Sequence, residues 1–233
     1  MQDAPDLEMV YIGDPMCSWC WGFSPTLHKL DETFDIPLRT MVGGLAAGPM
    51  ARPMGPNMTK TILHHWHQVE EASGQPFDHT GLDRPPEWVY DTELACTAVV
   101  VVRQQAPEKT LAFFDRLHRA FYAEAIDITD IEVYPALVAD FVPDVDAFMV
   151  ALKSSEMHTA AWEDFSAARR LGVSGFPTLL VRDGEQWSIV CRGFAPFENI
   201  EPAIRGWLAE RRGGSQSDEM AEGAHCEVGS AEC

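Results

Sequence analysis

Two cysteines spaced by two residues, Cys17-Ser18-Trp19-Cys20, stand where an extended apolar run gives way to a helical pattern. The run Leu7, Met9, Val10, Tyr11 and Ile12 stops at the turn-forming Gly13-Asp14-Pro15, which predicts a buried strand ending at residue 13. A helix is expected to start near Cys17 and continue through Leu27, Leu30 and Phe34. Pro25 should kink it, because proline removes a backbone donor and crowds the preceding turn. Pro37 to Val42, closed by Gly43-Gly44, reads as a second strand, so the first 44 residues run strand, helix, strand.

The position of the cysteine pair dictates its chemistry. Cys17 falls at a helix N-terminus, where unsatisfied backbone N–H groups and the positive end of the dipole stabilise an anion. A thiolate held there has a depressed pKa and is nucleophilic near neutral pH. Cys20 lies one turn on, on the same side and within disulfide reach. Such a pair can attack a disulfide, hold a mixed disulfide and resolve it. The competing reading is half of a zinc site, which needs two further ligands. Cys96 and Cys191 are solitary, and Cys226 and Cys233 are widely spaced near the C-terminus. Redox chemistry is therefore favoured, with no resident metal.

Beyond residue 44, Gly48, Pro49, Pro53, Gly55 and Pro56 punctuate a loop. Helical periodicity follows for a long stretch. Leu94, Ala95, Ala98, Val99 and Val102 form one stripe and Leu111, Phe114, Leu117 and Phe121 another. Ile131, Tyr134, Leu137, Val138 and Phe141 make a third, then Val145, Phe148, Met149 and Leu152, and a last helix runs from Met157 to Leu171. Strands return at Thr178 to Val181 and Trp187 to Arg192, with Asp183-Gly184 as the hairpin turn. Alternation in the second strand places Trp187, Ile189 and Cys191 together on one buried face. Phe197 to Arg212 closes the pattern as an amphipathic helix. The segment from Gly213 carries Asp218, Glu219, Glu222, Glu227 and Glu232 with no Lys or Arg, and reads as a flexible acidic tail.

Composition removes whole classes of partner. The formal net charge is −19, which repels nucleic-acid phosphates and anionic lipid. No apolar stretch is long enough to span a membrane. Residues 1–6 lack the basic and apolar regions of an export signal, so the chain is expected to act in the cytoplasm. Sparse cysteines in a long chain agree with a reducing compartment.

A second motif, Val173-Ser174-Gly175-Phe176-Pro177-Thr178, precedes the late strand pair and favours a sharp bend before the strand-opening proline. Together with Cys17-x-x-Cys20 and Pro25 it resembles the thioredoxin fold. The helix-filled stretch between Cys17 and Pro177 resembles the disulfide-bond-forming DsbA branch of that fold. Asp14-Pro15-Met16-Cys17-Ser18-Trp19-Cys20-Trp21-Gly22-Phe23 and Gly43-Gly44-Leu45 resemble its FrnE-like subfamily. The resemblance covers about residues 7 to 210. It implies an α/β fold of βαβ…ββα order, with residues 1–48 and 172–212 forming a thioredoxin-like domain. Residues 49–171 would form an inserted helical domain and 213–233 the tail.

By the same resemblance, Cys17 matches the attacking cysteine, Cys20 the resolving one and Pro177 a cis-proline packed beside them. Phe176 matches the residue whose backbone pairs with an extended substrate peptide. The implied activity is protein thiol–disulfide exchange, with glutathione as a candidate co-substrate and no other cofactor. Two departures bear on it: no export signal is visible, and Ser18-Trp19 lacks the histidine of the strongly oxidising enzymes. Trp19 is read as part of an apolar apron for substrate, with Trp21 a weaker candidate. Cys226 and Cys233 are read as a candidate redox relay to the Cys17/Cys20 pair. Cys96 and Cys191 read as small apolar residues in the core. His64, His65 and His67 read as a polar helix face, since no carboxylate or cysteine is expected at ligand spacing on that helix.

Two rival functions share the scaffold or the residues. One is a kappa-type glutathione transferase or aromatic-carboxylate isomerase, whose members generally carry serine at the position of Cys17. The other is a non-enzymatic holdase or metal-sequestering protein. The intact cysteine pair favours the oxidoreductase. The oligomeric state stays open.

Overall fold

A computed structural model describes residues 7–213. The proposed acidic tail, with Cys226 and Cys233, lies outside the described residues. Strand β1 (Leu7–Gly13) leads through the cysteine loop into helix α1 (Ser18–Thr33), and β2 (Leu38–Val42) follows. After the inserted helices come β5 (Thr178–Asp183), β6 (Gln186–Arg192) and α8 (Phe197–Gly213). These strands form one mixed sheet in the order β2-β1-β5-β6. β1 pairs parallel with β2, and β5 pairs antiparallel with both β1 and β6.

β1 is almost continuously apolar because both its faces are covered. Met9 and Tyr11 enter the larger core, where Tyr11 meets Phe23 of α1 and Phe114, ring centroids 6.1 and 5.6 Å away. Val10 and Ile12 point the other way, onto Met41, Leu180, Ala168 and Val173. The buried acid in β1, Glu8, is held by Arg182 at 2.8 Å and Arg39 at 3.2 Å. That pairing supplies the compensation a buried charge requires.

Between β2 and β5 lie α2 (Pro56–Ser73), α3 (Glu93–Gln105), α4 (Thr110–Ala123), α5 (Tyr134–Val138), α6 (Val145–Leu152) and α7 (Ser155–Arg170). A two-residue ladder, β3 (Arg52–Pro53) with β4 (Val89–Tyr90), occupies part of the expected loop. The expected stripe on α3 understates its burial: every residue from Ala95 to Val102 is buried. An element apolar all round is an interior helix, and α3 is accordingly the axis of the insertion, packed on α4, α6 and α7. The Ile131–Phe141 stripe is no single helix. A 3-10 turn over Ile131–Val133 passes into α5, whose first turn carries Pro135 and which ends at Val138.

The face prediction for β6 is corrected. A β-bulge interrupts the β5–β6 register: Leu179 pairs with Cys191, but the next residue, Leu180, pairs with Ile189. The extra residue, Val190, turns Cys191 to the opposite face from Trp187 and Ile189. Cys191 joins the larger core, whereas Trp187 and Ile189 pack half-buried beside Val10, Ile12 and Leu180. Strict alternation fails wherever such an insertion occurs, and nothing in the composition of β6 signals it.

Candidate active site

Cys17 is the N-cap residue of α1, with extended backbone at φ −94° and ψ 115°. The N-cap is where a Ser, Asp or Asn side chain ordinarily accepts the first-turn N–H groups; the Cys17 side chain makes no such capping bond, and its sulfur lies beside those N–H groups without accepting from them. Cys20 sits one turn along, with its N–H bonded to the Cys17 carbonyl at 3.0 Å. Both residues are buried. The Phe176–Pro177 peptide is cis, and it brings the Phe176 carbonyl to 3.6 Å from the Cys17 thiol, which donates to it. Cys17, Cys20, Phe176 and Pro177, distant in sequence, are thereby one cluster.

Glycine makes that approach sterically feasible. A side chain at Gly43, which follows β2, would overlap the Phe176 ring. Gly44 has φ +71° and lies against Phe165. The Gly43-Gly44 pair is thus both a turn and the floor under Phe176.

Several residues of the cluster have roles that no motif assigned. Asp14 is fully buried and organises the cysteine loop: its carboxylate accepts from the Met16 N–H at 2.9 Å and the Leu45 N–H at 2.7 Å. It also accepts from the Cys96 thiol at 3.3 Å. Burial raises the Asp14 pKa, and the two backbone bonds oppose that rise. Burial and the Asp14 charge push the Cys96 thiol well above its ordinary range. Cys96 is therefore more than apolar filler. It is an unreactive donor that helps tie α3 to the loop before Cys17. Tyr90 donates its hydroxyl to the Met16 carbonyl from β4.

Tyr11 lies in hydrogen-bond contact with Cys20, and its own pKa is driven well above the ordinary phenol value. Burial is the largest cause, followed by negative charge and the hydrogen bond at Cys20. The hydroxyl therefore keeps its proton. Alternation along β1 assigned Tyr11 to the core, which is right, but gave no sign that its oxygen reaches a sulfur.

The two tryptophans differ. Trp19 is half-buried against Phe194, ring centroids 5.6 Å apart, leaving part of its surface beside the cysteines. Trp21 is buried and structural: its indole N–H donates to the Pro76 carbonyl at 3.1 Å. The histidine reading needs one correction. Glu70 lies one turn from His67 on α2, so a carboxylate does stand at ligand spacing, and His79 faces both.

A model of the DSBA-like thioredoxin domain matches residues 11–205. The chain belongs to this family. A candidate protein disulfide isomerase from Nitrosomonas europaea is 34% identical, with a TM-score of 0.79 over 88% of this chain and 98% of that one. The cytosolic disulfide reductase DsbM from Pseudomonas aeruginosa has the same DSBA-like fold at 22% identity and a TM-score of 0.70, again over 88% and 98% of the two chains. The ClpXP adapter protein SpxH of Halalkalibacterium halodurans is 26% identical over 180 residues, covering 75% of this chain and 58% of that protein. The corresponding protein of Shouchella clausii is 25% identical over 211 residues, 82% of this chain and 63% of that one. The chain thus spans about three fifths of the curated relatives it matches. Among the described residues no helix of this family member is long and apolar enough to cross a membrane.

Proposed function

We propose that this DSBA-like chain is a thiol–disulfide oxidoreductase acting on protein or peptide substrates through Cys17 and Cys20. One observation carries the reading: the Cys17 sulfur occupies the N-cap of α1 and faces the Phe176 carbonyl beside Pro177. First-turn N–H groups favour the Cys17 thiolate as nucleophile and as leaving group. In the reducing direction that thiolate attacks a substrate disulfide. The substrate S–S bond breaks, one substrate thiolate leaves and a Cys17–substrate disulfide forms. Cys20 then attacks Cys17 and expels the second substrate thiol. The Cys17–Cys20 disulfide keeps the oxidation, and two electrons have passed to the substrate. The oxidising direction is the reverse.

Phe176 offers backbone for an extended peptide to lie against, and Trp19 an apolar edge for its side chains. Two molecules of glutathione, oxidised to their disulfide, would return Cys17 and Cys20 to thiols. The sparse cysteines of a long chain support a cytoplasmic setting.

Insulin reduction with glutathione as electron donor tests the assignment. Cys17→Ser should lower turnover at least 100-fold. Cys20→Ser should still attack but accumulate a mixed disulfide visible by mass spectrometry. Full activity in Cys17→Ser would overturn the proposal. A redox titration then sets the direction: a potential near about −270 mV marks a reductase, one near about −120 mV an oxidant.

A further inference from the structure

Away from the cysteines, α2 and the turn after it bring three metal-ligating side chains together. His67 and Glu70 are one helical turn apart on α2. The helix ends at Gly74, whose φ of +72° reverses the chain, and a 3-10 turn beginning at His79 returns alongside. His79 Nε2 lies 3.3 Å from a Glu70 carboxylate oxygen, and His67 Nδ1 lies 3.9 Å from the same oxygen. The two imidazole rings are 4.5 Å apart. One ligand atom from each of the three residues falls within 4.8 Å of the others.

We infer that His67, Glu70 and His79 form a binding site for a divalent cation of the zinc class. A tetrahedral zinc, with bonds of about 2.0–2.2 Å, holds its ligand atoms about 3.3–3.5 Å apart. The His79–Glu70 distance already meets that spacing. His67, the most exposed of the three, closes the remaining gap by a small side-chain rotation. Two imidazoles and a carboxylate suit zinc, nickel or copper and not calcium, which takes six to eight oxygens. Three protein ligands leave one position for water.

The site is also built in advance. His79 lies tilted against Trp66 and stacks with Phe77, at centroid distances of 6.1 and 6.3 Å. The Asp78 N–H is bonded to the Tyr122 carbonyl at 2.7 Å, and the Asp78 side chain caps the 3-10 turn. The second ring nitrogen of His79, Nδ1, is buried with no hydrogen-bond partner among the described residues. The polar outlet of this ring is therefore its Nε2, and that atom points at Glu70. The net charge of −19 raises the local concentration of cations. Bound metal would clip together the two ends of the loop that receives the Trp21 indole at Pro76, immediately beside Cys20.

The test uses the full chain with Cys17, Cys20, Cys226 and Cys233 replaced by serine, so that thiols do not compete for metal. Calorimetric titration with Zn²⁺ at pH 7.5 should give one equivalent, and Co²⁺ should give the absorption of a low-symmetry site. His67→Ala and Glu70→Gln, both at exposed positions, should each weaken binding at least tenfold. Both should also abolish the rise in Tm that zinc produces in the parent. His64→Ala/His65→Ala should leave affinity unchanged. Less than stoichiometric binding at 100-fold excess metal, or affinity unaltered by His67→Ala and Glu70→Gln, would overturn the inference. So would binding lost only with His64 and His65, which would mean capture by surface imidazoles. Because thiol exchange is absent from this background, the result is independent of the proposed function.

Discussion

At the scale of single residues, the cysteine cluster is set by groups whose chemistry is inconspicuous. Tyr11 illustrates this. In a buried setting an unshared thiolate is costly, and in the proposed exchange, where a Cys20 thiolate attacks Cys17, the Tyr11 hydroxyl in contact with Cys20 can donate to it. Losing one such bond costs about 1 kcal/mol, or roughly fivefold in rate. Tyr11→Phe should therefore slow release of the mixed disulfide about fivefold while first attack by Cys17 keeps its rate, as rapid-quench trapping with a peptide disulfide would separate. Equal rates for both steps in the variant and parent would remove Tyr11 from the mechanism. Cys17, Cys20 and Pro177 were legible because each sits in a short motif at an element boundary. The roles of Tyr11, Asp14 and Cys96 were not, even though Asp14 lies in the same run as Cys17, since they come from contacts made across strands and helices. The distance from Asp14 to Cys96 along the chain is 82 residues, beyond any local pattern.

Among elements, α1 shows how a helix tolerates what its sequence forbids. Pro25 has no N–H to give the carbonyl of Trp21, four residues earlier. The Gln75 side-chain amide donates to that carbonyl instead, at 3.2 Å. The proline was visible in the sequence; its substitute donor, arriving from the loop after α2, was not. A second clasp joins α1 to α4. The Asp115 carboxylate accepts from Ser24 at 2.6 Å and contacts His28 and, at 3.8 Å, His118. Burial opposes ionisation of Asp115, but the hydrogen bonds from His118, His28 and Ser24 outweigh it and hold the carboxyl well below its ordinary range. The bond to Asp115 is also the main reason that the His28 pKa is raised, against partial burial. The signs follow from linkage. A raised histidine contributes stability fully present below its unfolded pKa, about 6.5, and lost as pH climbs through the folded value. A depressed carboxyl contributes above about pH 3.9 and loses that contribution as pH falls. The clasp is therefore strongest between about pH 4 and 6.5. His28→Ala should be less stable than the parent in urea at pH 5.5, with the gap narrowing at pH 8.5. Since His28 is 42% exposed, solvent screening keeps the effect small. A gap that widens towards pH 8.5 would contradict the assignment.

In the whole molecule, the inserted helices and the sheet share one apolar core. Tyr11 and Leu179 of the sheet belong to the same buried cluster as Val99 and Phe121 of the insertion. Element order and fold class could be read from periodicity because three of the four strands of the main sheet and most helices have the expected pattern, β6 departing at its bulge. The shared core could not, since an apolar stripe does not say which partner covers it. One ion pair within the insertion is hydrogen-bonded across the same boundary to β2. Arg103 of α3 makes two bonds to Asp164 of α7, at 2.6 and 3.1 Å, and donates to the Thr40 carbonyl of β2 at 2.9 Å. Asp164 also accepts from the Val42 N–H at 3.1 Å. Asp164→Ala would strand a guanidinium and a strand-end N–H together. Breaking a buried pair in this way costs about 3–5 kcal/mol; because Arg103 and Asp164 side chains retain 24% and 12% exposure, a loss of about 2–4 kcal/mol is expected. A shared core also requires that insertion and sheet unfold together. In urea, tryptophan fluorescence and far-ultraviolet dichroism should give coincident transitions, and Asp164→Ala should move both midpoints equally. Two separated transitions would mean the insertion holds its fold alone, and a shift below about 0.5 kcal/mol would mean that Arg103 finds other partners when Asp164 is gone.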